Sequence, residues 1–323
     1  MRVEFPGFFD LQVNGFAGVD FNSPAATGEQ VAGALAALRA IGVTRLLPTL
    51  ITSSLEHFSR CAKTLLDLHA PAIAGIHMEG PYISLADGPR GTHPRAYVRA
   101  ASMDDFRHRQ EAAEGRIVLV TLAPEVDGAL TLTEQLAASG IRVAVGHTAA
   151  SPEQVRDCVR AGATLSTHLG NGCANLLPRH PNFLWEQLAA DELSAGFIVD
   201  GHHLSPATVK AMIRAKTPSR SFLVTDATAA AGCQPGRYVL GDVTVELSAE
   251  GRVSEVGAPW LAGSALQMNN AVANTVKFTG LPLEEALCMA STRPAKLMGM
   301  ETSGHVVGDW DPQASSLRIV SVA

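Results

Sequence analysis

"GIHMEGPYIS", residues 75–84, carries an apolar run into His77, Met78 and Glu79 and stops it at once with Gly80 and Pro81. The place of that carboxylate is explained by what surrounds it. The run belongs to "AIAGIHME" (72–79), third of eight short apolar, β-branched stretches. The others are "FFDLQVNG" (8–15), "TRLLPTL" (44–50), "RIVLVTLAP" (116–124), "IRVAVGH" (141–147), "ATLSTHL" (163–169), "SAGFIVDG" (194–201) and "RSFLVTD" (220–226). Amphipathic stretches separate them, with helices expected near 28–41, 54–69, 102–114, 129–139, 151–161 and 205–215. Several open on an N-cap, such as Ser151 before Pro152 and Ser205 before Pro206. Eight strands alternating with helices are the pattern of an α/β fold, a (β/α)8 barrel closed by a parallel sheet.

Two places interrupt the rhythm. The connection 170–193 holds Pro178, Pro181 and Asn182 and reads as a loop with a short helix near 184–191. After the eighth strand, residues 237–256 read as two or three antiparallel strands with glycine turns, followed by helices at about 264–279 and 282–297. The tail 303–323 alternates like a strand and is expected to pair with the first residues in a small sheet outside the barrel. Residues 1–323 are therefore read as a single domain.

Composition narrows the function. Of the 323 residues, 46% are hydrophobic and 17% charged, enough apolar material for a closed core and little sign of disorder. A net charge of −6 offers no broad basic field for nucleic acid or an anionic membrane, so a small-molecule ligand fits better. The five scattered cysteines form no C-x-x-C pair, which argues against a disulfide framework or a thiolate zinc site. With no signal-like N-terminus and no long apolar window, a cytoplasmic location is expected.

In a parallel barrel the active site is built at the C-terminal ends of the strands. Gln12 and Asn14 end the first strand, Glu79 the third, His147 the fifth, His168 the sixth and Asp226 the eighth, while Asp200, His202 and His203 follow the seventh. Glu79, His147 and His168 supply one carboxylate and two imidazoles from separate strands. That is the ligand set of a catalytic zinc-type site with a position left for water. His77 shares the side of Glu79 and is expected to line the barrel below the site, as a supporting group or weak ligand. Asp200 and His202 read as loop hydrogen-bonders.

The ordered motifs "PGFFDLQVNG", "GIHMEGPYIS", "GTHP", "VGHTAAS", "STHLGN", "VDGHHL", "LVTDATAAAG" and "LAGSALQMNNAV" resemble those of the N-acetylglucosamine-6-phosphate deacetylases, within the amidohydrolase superfamily of (β/α)8 barrels. The resemblance implies one divalent metal per chain, zinc in the first instance, on Glu79, His147 and His168, with Asp226 as catalytic acid/base. Gln12 and Asn14 stand where many superfamily members carry H-x-H for a second metal. Neutral amides are poor zinc ligands, so these two are expected to touch substrate or the ligands. His93 matches a histidine that faces the substrate and polarises its carbonyl. Asn171, Gly172, Arg179 and His203 match the substrate-binding set, with Asn171, Arg179 and His203 on the sugar phosphate and part of the grip lent by the neighbouring subunit of a homodimer.

The implied reaction is hydrolysis of the acetamide of N-acetylglucosamine 6-phosphate by metal-activated water. The alternatives are an amidohydrolase acting on another N-acyl or cyclic amide substrate and, more remotely, a non-catalytic sugar-phosphate-binding protein. Two departures stand out. The family has an extra N-terminal segment that builds a β-sandwich with the C-terminus, so that unit is expected to be absent or vestigial here. After His168 the family tends to N-A-M, whereas this chain reads "NGCANLLPRHPN".

Overall fold

A computed structural model describes residues 1–240, 243–257 and 261–323. Eight parallel strands form the central sheet: β1 (Phe8–Val13), β2 (Val43–Ile51), β3 (Ile76–Glu79), β4 (Ile117–Leu122), β5 (Arg142–Val145), β6 (Leu165–Ser166), β7 (Ser194–Phe197) and β8 (Ser221–Leu223). Each pairs with the next in chain order, as a right-handed barrel path requires. The seam between β8 and β1 differs. Among the described residues no ladder joins them; an isolated bridge, Val13 to Ala227, closes the ring just beyond the strand ends.

All eight expected strands are present, and most are shorter than their apolar runs. For β5, β6 and β8 the runs overshoot because their last residues turn out of the sheet: His147, His168 and Asp226 have φ of 50°, 26° and 49°. Left-handed backbone costs a non-glycine residue on the order of 1 kcal/mol or more, and such strain persists where surrounding structure over-determines it.

Helices α1 (Gly28–Ala40), α2 (Leu55–Leu66), α3 (Met103–Ala112), α4 (Ala129–Ala138), α5 (Pro152–Arg160), α6 (Phe183–Ala189) and α7 (Pro206–Lys216) follow β1 to β7 in turn. The expected caps form, Ser151 accepting from Gln154 N and Ser205 from Thr208 N; Asn182, read from the sequence as a loop residue, also caps α6 by accepting from Leu184 N and Trp185 N. α8 (Met268–Thr279) follows β8 after an antiparallel excursion of three strands, Gly236–Leu240, Val243–Leu247 and Val253–Glu255. The first turn expected there falls on residues 241 and 242, which lie outside the described residues.

The helix expected at 282–297 is two, α9 (Leu283–Ala290) and α10 (Thr292–Met298), broken where Ser291 turns to φ −131° and its hydroxyl donates to Leu287 O at 2.6 Å. A serine that offers the backbone a competing partner favours such a break.

Arg2–Pro6, His305–Asp311 and Ser316–Val322 form a three-stranded antiparallel sheet, as the alternation of the tail implied. Its Phe5, Val306, Trp310 and Leu317 join the same buried core as the barrel. Among the described residues no helix is long and apolar enough to cross a membrane.

Candidate active site

At the C-terminal rim of the barrel, Glu79 Oε1 lies 3.1 Å from His147 Nε2 and 3.2 Å from His168 Nε2, and the two nitrogens are 3.1 Å apart. Ligand atoms bound tetrahedrally at ~2.0–2.1 Å stand about 3.3–3.4 Å from one another. The three atoms therefore already mark three corners of a slightly contracted tetrahedron, from three different strands.

Protonation sharpens this. His147 Nδ1 faces Pro89 O at 2.8 Å, an oxygen that can only accept, so Nδ1 carries the ring proton and Nε2 turns a lone pair toward Glu79 and His168. Lone pairs and a carboxylate converge unfavourably unless a cation stands among them, and the donor set, two imidazoles and a carboxylate, suits a divalent transition metal. Burial opposes charge on His147, but the Glu79 carboxylate prevails and holds the imidazole above its usual value, so without a cation Nε2 favours a second proton against Glu79, the place a divalent metal would take. Burial also opposes charge on Glu79, and the two imidazoles outweigh it, holding the carboxyl well below its usual range.

Polar side chains frame the cluster. Gln12 Nε2 donates to Glu79 Oε1 at 2.8 Å. Asn14 Nδ2 donates to Asp226 Oδ1 at 2.6 Å. Burial, reinforced by the charge on Glu79, pushes the Asp226 carboxyl up to about 6, so it exchanges a proton readily near neutrality. His93 Nδ1 accepts the Thr52 N–H at 3.4 Å and contacts the Thr52 hydroxyl at 2.8 Å, which leaves the ring proton on Nε2, 3.8 Å from Glu79 Oε2. Burial first, then His147, lowers His93 to about 3, so it is a neutral donor facing the cluster.

This constellation on this barrel agrees with comparison to known proteins. The amidohydrolase family model matches residues 4–308. The chain belongs to the N-acetylglucosamine-6-phosphate deacetylase family of amidohydrolases. The rat N-acetylglucosamine-6-phosphate deacetylase is 36% identical over 315 residues, 93% of this chain and 75% of the relative. An N-acetylgalactosamine-6-phosphate deacetylase from Shewanella sp. (strain ANA-3) is 33% identical over 323 residues, 98% of this chain and 80% of the relative. The crystal structure of the Mycobacterium smegmatis N-acetyl-D-glucosamine-6-phosphate deacetylase superposes with a TM-score of 0.90 at 32% identity, covering 100% of this chain and 86% of that one.

The other residues expected in this amidohydrolase site divide. Asn171 is half-buried, with its amide on His168 O at 3.2 Å. Gly172, at φ 57°, packs straight onto the His147 imidazole: a Cβ there would stand 2.9 Å from His147 Nδ1. His203 is held by Asp200, whose Oδ2 accepts from His203 Nδ1 at 2.6 Å while Oδ1 accepts the His202 and His203 N–H groups at 2.8 Å. Arg179 is exposed, and its carbonyl accepts from Trp185 Nε1. His77 lies within the barrel as expected, but it is no spare ligand: Nδ1 faces Leu11 O at 3.0 Å, and Nε2 contacts Thr121 Oγ1 at 2.8 Å.

Three residues that the sequence reading passed over, Thr52, Glu125 and Asp10, take part in the geometry, and Asp200 is the loop hydrogen-bonder it was read to be. Thr52 sets the His93 tautomer, and Asp200 orients His203. Glu125 braces the turn after His147 by accepting from Thr148 Oγ1 and Ala149 N at 2.5 and 2.6 Å. Asp10 sits fully buried inside β1. The Asp200-x-x-His203 spacing was a legible signal, since a short acidic side chain commonly accepts from N–H groups two and three residues on; the other three have no local signature.

Proposed function

We propose that this chain hydrolyses the acetamide of N-acetylglucosamine 6-phosphate to glucosamine 6-phosphate and acetate. The observation that carries the reading is the convergence of Glu79, His147 and His168 beside the buried carboxyl of Asp226, in a chain 36% identical to a deacetylase of that name. Those three residues would hold one divalent metal, with zinc the best match to two nitrogens and one oxygen. When bound, the metal supplies a Lewis acid and lowers the pKa of water toward neutrality.

Asp226 takes the proton of the attacking water and returns it to the departing nitrogen, which an amide needs before it can leave. Asn14 aims that carboxylate, and Gln12 holds Glu79. The His93 Nε2–H donates to the carbonyl oxygen as negative charge develops there. Asn171 and Gly172 line the sugar, and His203, oriented by Asp200, joins Arg179 on the phosphate, with a second subunit of a homodimer completing the grip. All five cysteines are free, which suits the reducing cytoplasm. No nucleic acid or membrane enters the reaction.

A second reading, N-acetylgalactosamine 6-phosphate as substrate, is favoured by the Shewanella relative. Acetate release from the two N-acetylhexosamines, each with and without the 6-phosphate, tests both. The first reading expects the phosphorylated gluco sugar to be turned over best. Preference for the galacto epimer would move the assignment to the second reading, and preference for unphosphorylated sugar would overturn both.

A further inference from the structure

Asp10 takes no part in the reaction above, yet its carboxylate is fully buried in β1. Such a group is tolerated when its acceptors are filled, and here they are filled from both sides of the barrel seam. Oδ1 accepts the N–H of Gln12 at 3.2 Å and of Thr225 at 3.3 Å, and Oδ2 accepts the Thr225 hydroxyl at 2.5 Å. Thr225 Oγ1 in turn accepts the Ala227 N–H at 3.2 Å, and its own proton goes to the near, charged Asp10 oxygen rather than to Gln12 O, 3.4 Å away. Burial, opposed by the Thr225 hydroxyl, pushes the Asp10 carboxyl up to about 7, so the bonds only partly offset its desolvation.

The place matters as much as the bonding. β8 and β1 share no ladder among the described residues, so the seam rests on the Val13–Ala227 bridge, on the Asn14 and Gly15 N–H groups that donate to Ala227 O at 2.8 and 3.0 Å, and on these side-chain bonds. Asp226 lies between Thr225 and Ala227 in left-handed backbone, with its N–H on Gln12 O at 2.9 Å. Both of its neighbours are tied into the Asp10 network, which acts beside the Gln12 bond to its N–H and the Asn14 bond to its carboxylate to fix the strained turn.

We infer that Asp10 and Thr225 form a clamp across the barrel seam that positions the Asp226 carboxylate for proton transfer. Asp10 is a positioning residue, acting through Thr225 and the peptide that follows, and the inference rests on the reading of Asp226 as the proton carrier. Holding Gln12 by its N–H, Asp10 also ties the Asp226 turn to the strand that supports Glu79.

The test compares Asp10→Asn, Thr225→Val, Thr225→Ser and the Asp10→Asn/Thr225→Val double variant in acetate release from N-acetylglucosamine 6-phosphate, with metal content and thermal melts recorded for each. Displacing a catalytic group by about 1 Å costs on the order of a hundredfold, so Asp10→Asn and Thr225→Val should each lower kcat about ten- to a hundredfold with KM within about twofold. The double variant should be no slower than the slower single, because both break one link. Thr225→Ser keeps the hydroxyl and should restore kcat to within about threefold of wild type.

The clamp is refuted if folded, metal-loaded Thr225→Val keeps wild-type kcat, if the loss falls on KM, or if Thr225→Ser is as slow as Thr225→Val. Should Asp10→Asn fail to fold, the two Thr225 variants decide alone. Asp226→Asn separates the layers: turnover in that variant would sink the proton-carrier reading itself, whereas an inactive Asp226→Asn beside a fully active Thr225→Val would sink only the clamp.

Discussion

Asp226→Asn should separate activity from stability in opposite directions. The amide keeps the size of the carboxylate, and its oxygen can go on accepting from Asn14 Nδ2, now 2.6 Å from Asp226 Oδ1. What it cannot do is take a proton from water and return it to nitrogen. General acid/base catalysis is worth about 10²–10⁴ in rate, or ~2.7–5.5 kcal/mol of barrier. One carboxyl serves both transfers here, so the loss in kcat should lie near the upper end.

Stability should move the other way. Burial and Glu79 raise this carboxyl from 3.8 to about 6 in the folded chain. A raised folded pKa means a contribution that is fully present below pH 4 and lost as pH rises through 6, so at pH 7 the ionised side chain weighs against folding. Metal-free Asp226→Asn should therefore melt no lower than metal-free wild type at pH 7, with its relative advantage growing between pH 4 and 7. Steady-state acetate release gives the first quantity and melts across that pH range the second. Near wild-type turnover, or a loss of activity accompanied by a lower melting temperature, would refute the reasoning.

Purified protein should carry close to one metal per chain by elemental analysis, and His147→Ala or His168→Ala should lose it; a stoichiometry near two would contradict a site in which Gln12 and Asn14 are engaged with Glu79 and Asp226. Arg179→Ala should cut kcat/KM for the phosphorylated sugar by about 1.5–3 kcal/mol, the value of a charged hydrogen bond, and leave the unphosphorylated analogue unchanged. Equal losses on both would remove Arg179 from the phosphate. Lys216→Met strips the Gln187 and Ala190 carbonyls of the Nζ bonds at 2.7 and 2.5 Å that close the end of α6. It should lower unfolding free energy by about 1–3 kcal/mol in urea titration, and an unmoved midpoint would show that water replaces the ammonium without cost.

The eight-strand rhythm, the N-caps at Ser151 and Ser205, and the cluster of Glu79, His147, His168 and Asp226 at the ends of apolar runs were all legible in the chain before it folds. These are local signals: the apolar run, its terminating polar residue and the turn that follows lie within a few positions of one another. Tertiary structure decided which atoms meet. Parallel strands are buried on both faces, so their runs carry no alternation that would mark Asp10 as different from the leucine beside it. Its partner Thr225 lies 215 positions away and arrives only when the ring closes. Likewise, the tautomer of His147 is chosen by Pro89 O from another loop, and that of His93 by the Thr52 N–H. The left-handed turns at His147, His168 and Asp226, which shortened the strands below their apolar runs, belong to the same class. Histidine and aspartate tolerate positive φ better than most residues but do not require it; the packed rim imposes it, because closing the barrel brings together main-chain and side-chain partners that outweigh the local preference of the chain.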